Sequence, residues 1–231
     1  MNKEQYIMLS ELFVYPKWDY KLKVGKCMEY LETHYPDAAS SLERFNNFVQ
    51  SNSLYDIEEI FGVTFHIQAI CFLDIGYVLF REDYSRGEFL VNMKQEQAKI
   101  GHDCGEELAD NLPHVLKLMA ISNDEEFINE LTVRAVIPAL EQMLNEFQTK
   151  RMEARKNVIK KKQKAMILED VANGNIYQNA LQALLKVLHK DFEGVNYSER
   201  EAILSPSLVG FSEEDCGSCS FTSSTNKTIK T

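Results

Sequence analysis

The stretch that decides the fold runs from Arg81 to Ala120 and contains two segments, REDYSRGEFLVNMK (81–94) and EELADNLPHVLKLMA (106–120). Apolar residues recur in both segments at spacings of three and four, which places them on one face of a helix. Residues 102–107, which separate the two apolar patterns, are mostly polar and acidic. The stretch therefore predicts two amphipathic helices joined by a polar loop.

Polar residues and a glycine mark the expected ends of these two helices. A short side-chain oxygen caps the unpaired N–H groups of a first turn, and glycine tolerates the left-handed conformation that follows a last turn. The expected boundaries are a cap at Asp83 or Ser85, a stop at Gly101, and a second cap at Asp110 or Asn111 with Pro113 in the first turn that follows.

The rest of the chain shows the same helical spacing. Helices are predicted over 4–13, over 20–35, from a capping box at Ser40 and Glu43, over 54–61 with a break at Gly62, over 66–80, from Asn123 or Asp124, from near Pro138, and over 181–188. No stretch alternates apolar and polar residues with the period of two that a half-buried strand requires. We therefore predict an all-α, single-domain bundle of about nine to eleven helices over residues 1–204. A disordered tail is predicted at 205–231, where Ser, Thr, Gly and Lys dominate.

The helix predicted over 66–80 is apolar nearly all round, which is typical of a buried, central helix. Asp74 lies inside this run. Its carboxylate either lies at the wet edge of the helix or serves as an anchoring charge for a basic peptide in a groove.

The net charge of −10 is unevenly distributed along the chain. The window Lys150–Lys164 holds eight basic residues and one acidic residue, so the remainder is strongly acidic. The basic run predicts a solvated helix face, because it lacks the interleaved aromatic residues that stack on nucleic-acid bases. An acidic body favours a basic partner and disfavours nucleic acid.

The start of the chain is polar, and its longest apolar run is short for a membrane span. That run, at 67–80, also contains Gln68 and Asp74. We therefore expect a cytoplasmic protein that does not enter a membrane.

The five cysteines are scattered, which argues against a disulfide framework. Cys216 and Cys219 form a Cys-x-x-Cys pair, a pattern that serves in metal binding or redox exchange, but no second pair of ligands lies near them in the sequence. We therefore expect no resident metal, with these two residues as weak candidates. His102 and Cys104 are interpreted as members of a polar loop, with a metal site as the alternative. No glycine-rich phosphate loop or catalytic signature occurs, so we expect neither enzymatic activity nor a cofactor.

The residues from Arg81 to Ala120 resemble the central block of the nitrate reductase assembly chaperones, the NarJ/TorD family. In that family the block reads roughly Arg-Gly, an apolar helix, a glycine, and then Glu-Leu-Pro-Asp-His-Leu-Pro. The matching positions are Arg86-Gly87, Leu90-Val91, Met93-Lys94, Gly101, Glu107-Leu108, Asp110, Leu112-Pro113, Leu116 and Ala120. The chain departs from the pattern at Ala109, where the family prefers proline, and at Asn111, where it prefers histidine. A looser match extends from Tyr55 to about Leu144.

The resemblance implies a cytoplasmic, non-catalytic helical chaperone. Such a protein binds the catalytic subunit of a nitrate reductase or nitrite oxidoreductase type of molybdoenzyme, at its N-terminal segment, until the molybdenum cofactor and an iron–sulfur cluster are inserted. Both a monomer and a homodimer are open, since helical chaperones of this size can exchange elements between protomers. The alternative is a helical regulatory or metal-handling protein that acts through Cys216 and Cys219.

A peptide-binding face is expected to accompany this function. Its predicted residues are Phe65, Asp74, Tyr77, Phe80, Arg86, Asp110, Leu112 and Pro113. Apolar members would line a groove, and the two aspartates would meet cationic groups of the client. Two alternatives stay open: Arg86 pairs with a carboxylate to hold the loop, and Asp110 is only a helix cap.

Overall fold

The computed structural model describes residues 3–66, 69–147 and 175–195. The helices are α1 (Glu4–Ser10), a 3₁₀ turn (Glu11–Phe13), α2 (Tyr20–His34), α3 (Pro36–Ser51), α4 (Leu54–Phe65), α5 (Ile75–Phe80), α6 (Tyr84–Lys99), α7 (Leu112–Ile121), α8 (Glu125–Leu131), a π-helical turn (Thr132–Val136), α9 (Ile137–Glu146) and α10 (Tyr177–Asp191). These ranges contain no β-strand, and the prediction of a single all-α bundle is confirmed. No helix within them has the length and hydropathy that a membrane span requires.

The late helix α10 packs into the centre of the bundle, against α3 and α9. Tyr177 in its first turn is fully buried. The ring of Tyr177 makes edge-to-face contacts with Phe45, Phe61 and Phe65 at centroid distances of 5.0, 5.7 and 4.8 Å. Its hydroxyl lies 3.2 Å from that of Tyr20. One side chain of α10 therefore contacts α2, α3 and α4.

The other end of α10 is tied to the start of the chain by a single carboxylate. Asp191 Oδ2 accepts hydrogen bonds from Gln5 Nε2 at 2.8 Å and Tyr6 Oη at 2.7 Å, and its Oδ1 accepts from Tyr35 Oη at 2.7 Å. We call these four residues the Asp191 clasp. Three donors on one carboxylate satisfy most of its lone pairs, which lets it lie beside the core.

Several helix ends lie where the sequence placed them. Asp83 Oδ1 accepts from Ser85 N at 2.9 Å and caps α6, and Asp124 Oδ1 accepts from Phe127 N at 3.0 Å and caps α8. Gly101, which follows α6, has φ = +68°, the left-handed conformation expected of a helix stop.

Proline at 138 also behaves as expected, since it stands in the first turn of α9 after the π-helical turn Thr132–Val136.

Two predicted boundaries of the N-terminal half are wrong. Helix α3 begins at Pro36, so Ser40 lies inside it, and its hydroxyl donates to the Pro36 carbonyl at 3.1 Å. Helix α4 continues through Gly62 to Phe65. Burial of Phe61 and Phe65 on one face of α4 outweighs the helix penalty of a glycine, which is about 1 kcal/mol.

The prediction of one helix over 66–80 is also wrong. Among the described residues of this stretch only Ile75–Phe80 is helical, and residues 69–74 form an irregular segment. Most of that segment is buried as expected, but its backbone is satisfied from outside, because the Thr64 carbonyl accepts from Ile70 N and Cys71 N at 2.8 and 3.3 Å. A short apolar run does not distinguish a buried helix from a buried irregular segment.

The predictions for the basic window Lys150–Lys164, for the tail at 205–231 and for the pair Cys216 and Cys219 lie outside the described residues.

Candidate functional site

The site predicted around Asp74 is built where two distant segments pair by their backbones. Asp74 and Asn111 form an isolated antiparallel bridge. Ile75 N donates to the Asp110 carbonyl at 3.0 Å, and Leu112 N donates to the Leu73 carbonyl at 2.9 Å. The starts of α5 and α7 are thereby held side by side.

Asp110 caps a helix, but not the one that the sequence indicated. Its Oδ2 accepts from Gly76 N in the first turn of α5 at 2.9 Å, so the carboxylate stabilises α5 rather than α7. Asn111 occupies the cap position of α7 without a side-chain capping bond, and its Nδ2 donates instead to Asp74 Oδ1 at 3.1 Å.

Gly76 leaves the space that this arrangement needs. A Cβ at this position would lie 2.7 Å from Asp110 Oδ2 and 2.9 Å from Phe89 Cδ1. Only glycine therefore lets α5 approach both the carboxylate and the buried ring of α6.

Arg86 reaches from α6 between the two aspartates. Its guanidinium lies 3.8 Å from Asp74 Oδ2 and 5.0 Å from the centroid of the Tyr77 ring. Arg86 Nε and Asp110 Oδ1 are both buried and have no hydrogen-bond partner among the described residues. Arg86 thus holds the turn between α5 and α6 against a carboxylate, as the structural alternative for this residue expected.

Burial governs the ionisation of Asp110. Burial, with a smaller contribution from the nearby Asp74 carboxylate, raises the pKa of Asp110 to about 6, although the guanidinium of Arg86 acts in the opposite direction. Asp110 is completely inaccessible to solvent. It therefore stabilises the site from within the core and has no exposed surface that a client could contact.

The surface above this buried support is aromatic and charged. Phe72 is 40% exposed, and its ring packs edge-on against Tyr77 at a centroid distance of 4.7 Å. The guanidinium of Arg81 lies 5.6 Å from the same Tyr77 ring. We call Phe72, Asp74, Tyr77 and Arg81 the α5 face.

The backbone of the α5 face is strained at one residue. Arg81 adopts φ = +58°, the only positive φ of a non-glycine residue in the described part of the chain. A conformation of this kind costs on the order of 1–3 kcal/mol and persists only where the surroundings impose it.

The structure brings some of the predicted site residues together and separates others. Asp74, Tyr77, Arg86 and Asp110 form one cluster, and Leu112 joins it through its backbone. Phe80 is half-buried and lies against Phe89 at a centroid distance of 5.8 Å.

Three predicted residues lie in the core and are not part of the reachable surface. Phe65 belongs to the aromatic group around Tyr177. Leu112 and Pro113 lie in the first turn of α7, and both are buried. Their apolar character therefore serves packing in this structure.

Sequence reasoning missed Phe72 and Arg81. Phe72 was missed because residues 66–80 were interpreted as one buried helix, and the irregular path of residues 69–74, in which the Phe72 ring is exposed, was not predicted. Arg81 carried a usable signal, since it follows Tyr77 at the spacing of four that brings helical side chains together.

One further cluster joins residues that are distant in sequence. His102, Cys104 and His114 offer potential metal-ligand atoms that all lie within 4.8 Å of one another. Sequence reasoning had placed the first two in a polar loop, and had no reason to connect them with His114 in α7.

The chain was compared with known proteins in two ways. Neither a scan against protein-family models nor a search of curated proteins found a match to the chain.

Proposed function

We propose that this chain is a non-catalytic cytoplasmic chaperone for the catalytic subunit of a nitrate reductase-type molybdoenzyme. It would bind the N-terminal segment of the apo subunit and hold the subunit for insertion of the molybdenum cofactor and an iron–sulfur cluster. The observation that supports a binding role is the α5 face, where the exposed ring of Phe72 packs against the half-buried ring of Tyr77 and the carboxylate of Asp74 is partly exposed. The class of client rests on the resemblance of residues 81–120 to the NarJ/TorD block.

The chemistry of the α5 face suits a basic segment that carries apolar residues. Aromatic side chains dominate binding energy at interfaces because they offer large, rigid contact areas. The side chain of Asp74 is 26% exposed and is available to a cation from the client. Micromolar affinity, about −8 kcal/mol, is enough for a client that must later leave.

The buried support makes the α5 face rigid before a client arrives. Asp74 is oriented by Asn111 Nδ2 and Arg86, and the helix that carries Tyr77 is capped by Asp110. A preorganised surface loses less side-chain freedom on binding. The support thus contributes to affinity without contacting the client.

The proposal is tested by affinity purification of the tagged full chain from its own cells, with mass spectrometry and metal analysis. We expect recovery of a molybdoenzyme catalytic subunit that lacks molybdenum. Recovery of the chain alone, or with proteins of unrelated classes, would contradict the proposal.

Two pairs of variants connect that capture to the α5 face. We expect Asp74→Asn and Phe72→Ala to weaken binding of the captured subunit, the second by about 2 kcal/mol, as an interface aromatic does. The matched controls are Glu32→Gln, an exposed acid of α2, and Tyr55→Ala, a 72% exposed aromatic of α4. Equal loss in the controls would remove the α5 face from the proposal.

The tail-centred alternative predicts a different outcome. A Cys216→Ser, Cys219→Ser double variant should still capture the molybdoenzyme subunit if the α5 face binds it. Loss of capture in this variant alone would favour a regulatory or metal-handling protein that acts through its tail.

A further inference from the structure

The loop after α6 brings three side chains with metal-binding atoms to one place. His102 and Cys104 belong to this loop, and His114 stands in the first half of α7. His102 Nε2 lies 2.8 Å from His114 Nδ1, and the Cys104 Sγ completes a group whose ligand atoms lie within 4.8 Å of one another. Two imidazole nitrogens and a thiol sulfur therefore converge on one point.

We propose that His102, Cys104 and His114 bind a single Zn²⁺ ion. Zinc prefers imidazole nitrogen at about 2.0–2.1 Å and thiolate sulfur at about 2.3 Å in tetrahedral geometry. Two nitrogens bound to one such ion lie about 3.4 Å apart. The two histidine nitrogens, 2.8 Å apart in this structure, therefore need to separate by about 0.6 Å to reach that distance.

Backbone geometry presents the first two ligands. Gly101 and Gly105 have φ of +68° and +62°, and they turn the chain on both sides of His102 and Cys104. His102 N donates to the Gln97 carbonyl at 3.0 Å, and Gly105 N donates to Asp103 Oδ1 at 2.9 Å. The ligands are thus held by a compact loop joined to the last turn of α6.

A buried glutamine holds Cys104 when no metal is bound. Gln97 is 1% exposed, and its Nε2 donates to the Ala109 carbonyl at 2.7 Å. Its Oε1 accepts from the Cys104 thiol at 2.6 Å. On binding zinc the thiol releases its proton to solvent and the sulfur ligates the ion, so the bond to Gln97 is exchanged for a metal bond. The Cys104 thiol and the Gln97 amide thus have hydrogen-bond partners without the ion. Zinc binding would add to the stability of the folded state.

Charged groups of both signs lie near the cluster. Asp103 lies in the same loop, and Lys94 and Lys117 approach from α6 and α7. Burial is the largest cause that lowers the pKa of His114 to about 4, followed by the neighbouring His102 and then Lys117, and burial likewise lowers the pKa of His102. A neutral imidazole is the form of histidine that ligates a metal.

The protein supplies three ligands and leaves the fourth position of the ion open. All three residues are partly exposed, so this position is reachable from solvent. Sites with three protein ligands typically hold water or an incoming donor at the fourth. The proposal does not depend on the chaperone function, since the cluster shares no residue with the α5 face.

The test uses Co²⁺ as a spectroscopic substitute for zinc. It is carried out on the full chain with Cys216→Ser and Cys219→Ser, so that the tail thiols are removed. We expect one equivalent of Co²⁺ to produce thiolate charge-transfer absorption in the near ultraviolet and the intense visible bands of tetrahedral cobalt. Absence of both signals in this background would overturn the proposal.

Variants assign the ligands. His114→Asn and Cys104→Ser, in the same background, should weaken Co²⁺ binding by at least about 100-fold, the upper end of the cost of losing an outer-shell partner. His34→Asn, an exposed histidine of α2, is the matched control and should bind as the parent does. Circular dichroism establishes that each variant is folded. Retention of both absorption signals in Cys104→Ser and His114→Asn would overturn the proposal, as would their equal loss in His34→Asn.

Discussion

Asp110 combines three contacts in one buried side chain. It bonds the first turn of α5, lies beside the Asp74 carboxylate, and faces the guanidinium of Arg86. Because burial and Asp74 raise its pKa to about 6, the folded state keeps this proton at pH values where an unfolded chain has lost it. The residue therefore links stability to pH.

We expect the free energy of unfolding to fall as pH rises from about 4 to above 6. A carboxyl whose pKa is higher in the folded state stabilises that state below its unfolded pKa, and this contribution is lost as pH rises through the folded pKa. For Asp110 the loss is on the order of 2–3 kcal/mol. Urea unfolding at pH 4.5, below the raised pKa of Asp110, and at about pH 7.5, above it, measures this loss of stability.

The substitution Asp110→Asn should remove that slope, because the amide keeps an oxygen for Gly76 N and carries no charge. Asp83→Asn is the matched control, since hydrogen bonds from Ser85 lower the pKa of Asp83, and its contribution is constant above its unfolded pKa. A slope that persists in Asp110→Asn would show that another group causes it. Asp110→Asn should still capture the molybdoenzyme subunit, because Asp110 has no exposed surface.

At the scale of the element, α5 depends on the close approach that glycine permits. It is a helix of only 6 residues, too short to be stable without tertiary contacts. Its first turn is bonded by Asp110, and it packs against α6 and α9. The α5 face therefore depends on neighbouring elements for its position.

We expect Gly76→Ala to destabilise the protein by about 1–3 kcal/mol, the usual cost of overpacking. The new methyl group would collide with Asp110 Oδ2 and Phe89 Cδ1. Gly87→Ala in α6 is the matched control, because nothing lies within 4 Å of a Cβ there and alanine raises helix propensity by about 1 kcal/mol. Thermal unfolding of both variants should show opposite signs, and a stable Gly76→Ala protein would contradict the close contact.

At the scale of the whole molecule, α10 closes the bundle by two kinds of contact. Tyr177 fills the centre with an aromatic ring, and the Asp191 clasp fastens the far end to α1 and to the α2–α3 junction. Both contacts join residues more than 100 positions apart in the sequence. The bundle is thus closed by its last described helix.

Because three hydrogen bonds share the Asp191 carboxylate, we expect its removal to cause a large loss of stability. Asp191→Ala would leave Gln5 and Tyr6 with buried donors that have lost their acceptor, at a cost of about 1–3 kcal/mol for each unsatisfied group. Tyr35→Phe removes only one of the three bonds and should cost about 1 kcal/mol. Urea unfolding compares the two, and equal effects would show that the three bonds do not act through the shared carboxylate.

Local signals predicted much of the fold correctly. Caps at Asp83 and Asp124, the stop at Gly101 and the helical spacing of apolar residues depend on contacts within about four positions, which a sequence displays directly. Asp110 was correctly predicted to cap a helix, but the predicted helix was α7 and the capped helix is α5. Residue type favours a capping role without indicating which helix end the side chain contacts.

Only the tertiary structure decided which distant groups meet. The irregular path of residues 69–74, the capping of α5 by Asp110 and the convergence of His114 on His102 and Cys104 all require that separate segments pack together. Buried backbone groups must be satisfied, and at 73–75 they are satisfied by 110–112 rather than by continuing a helix. The sequence by itself thus determined the helical class and most helix ends, and packing determined the surface and the clusters, since these depend on contacts that no local pattern encodes.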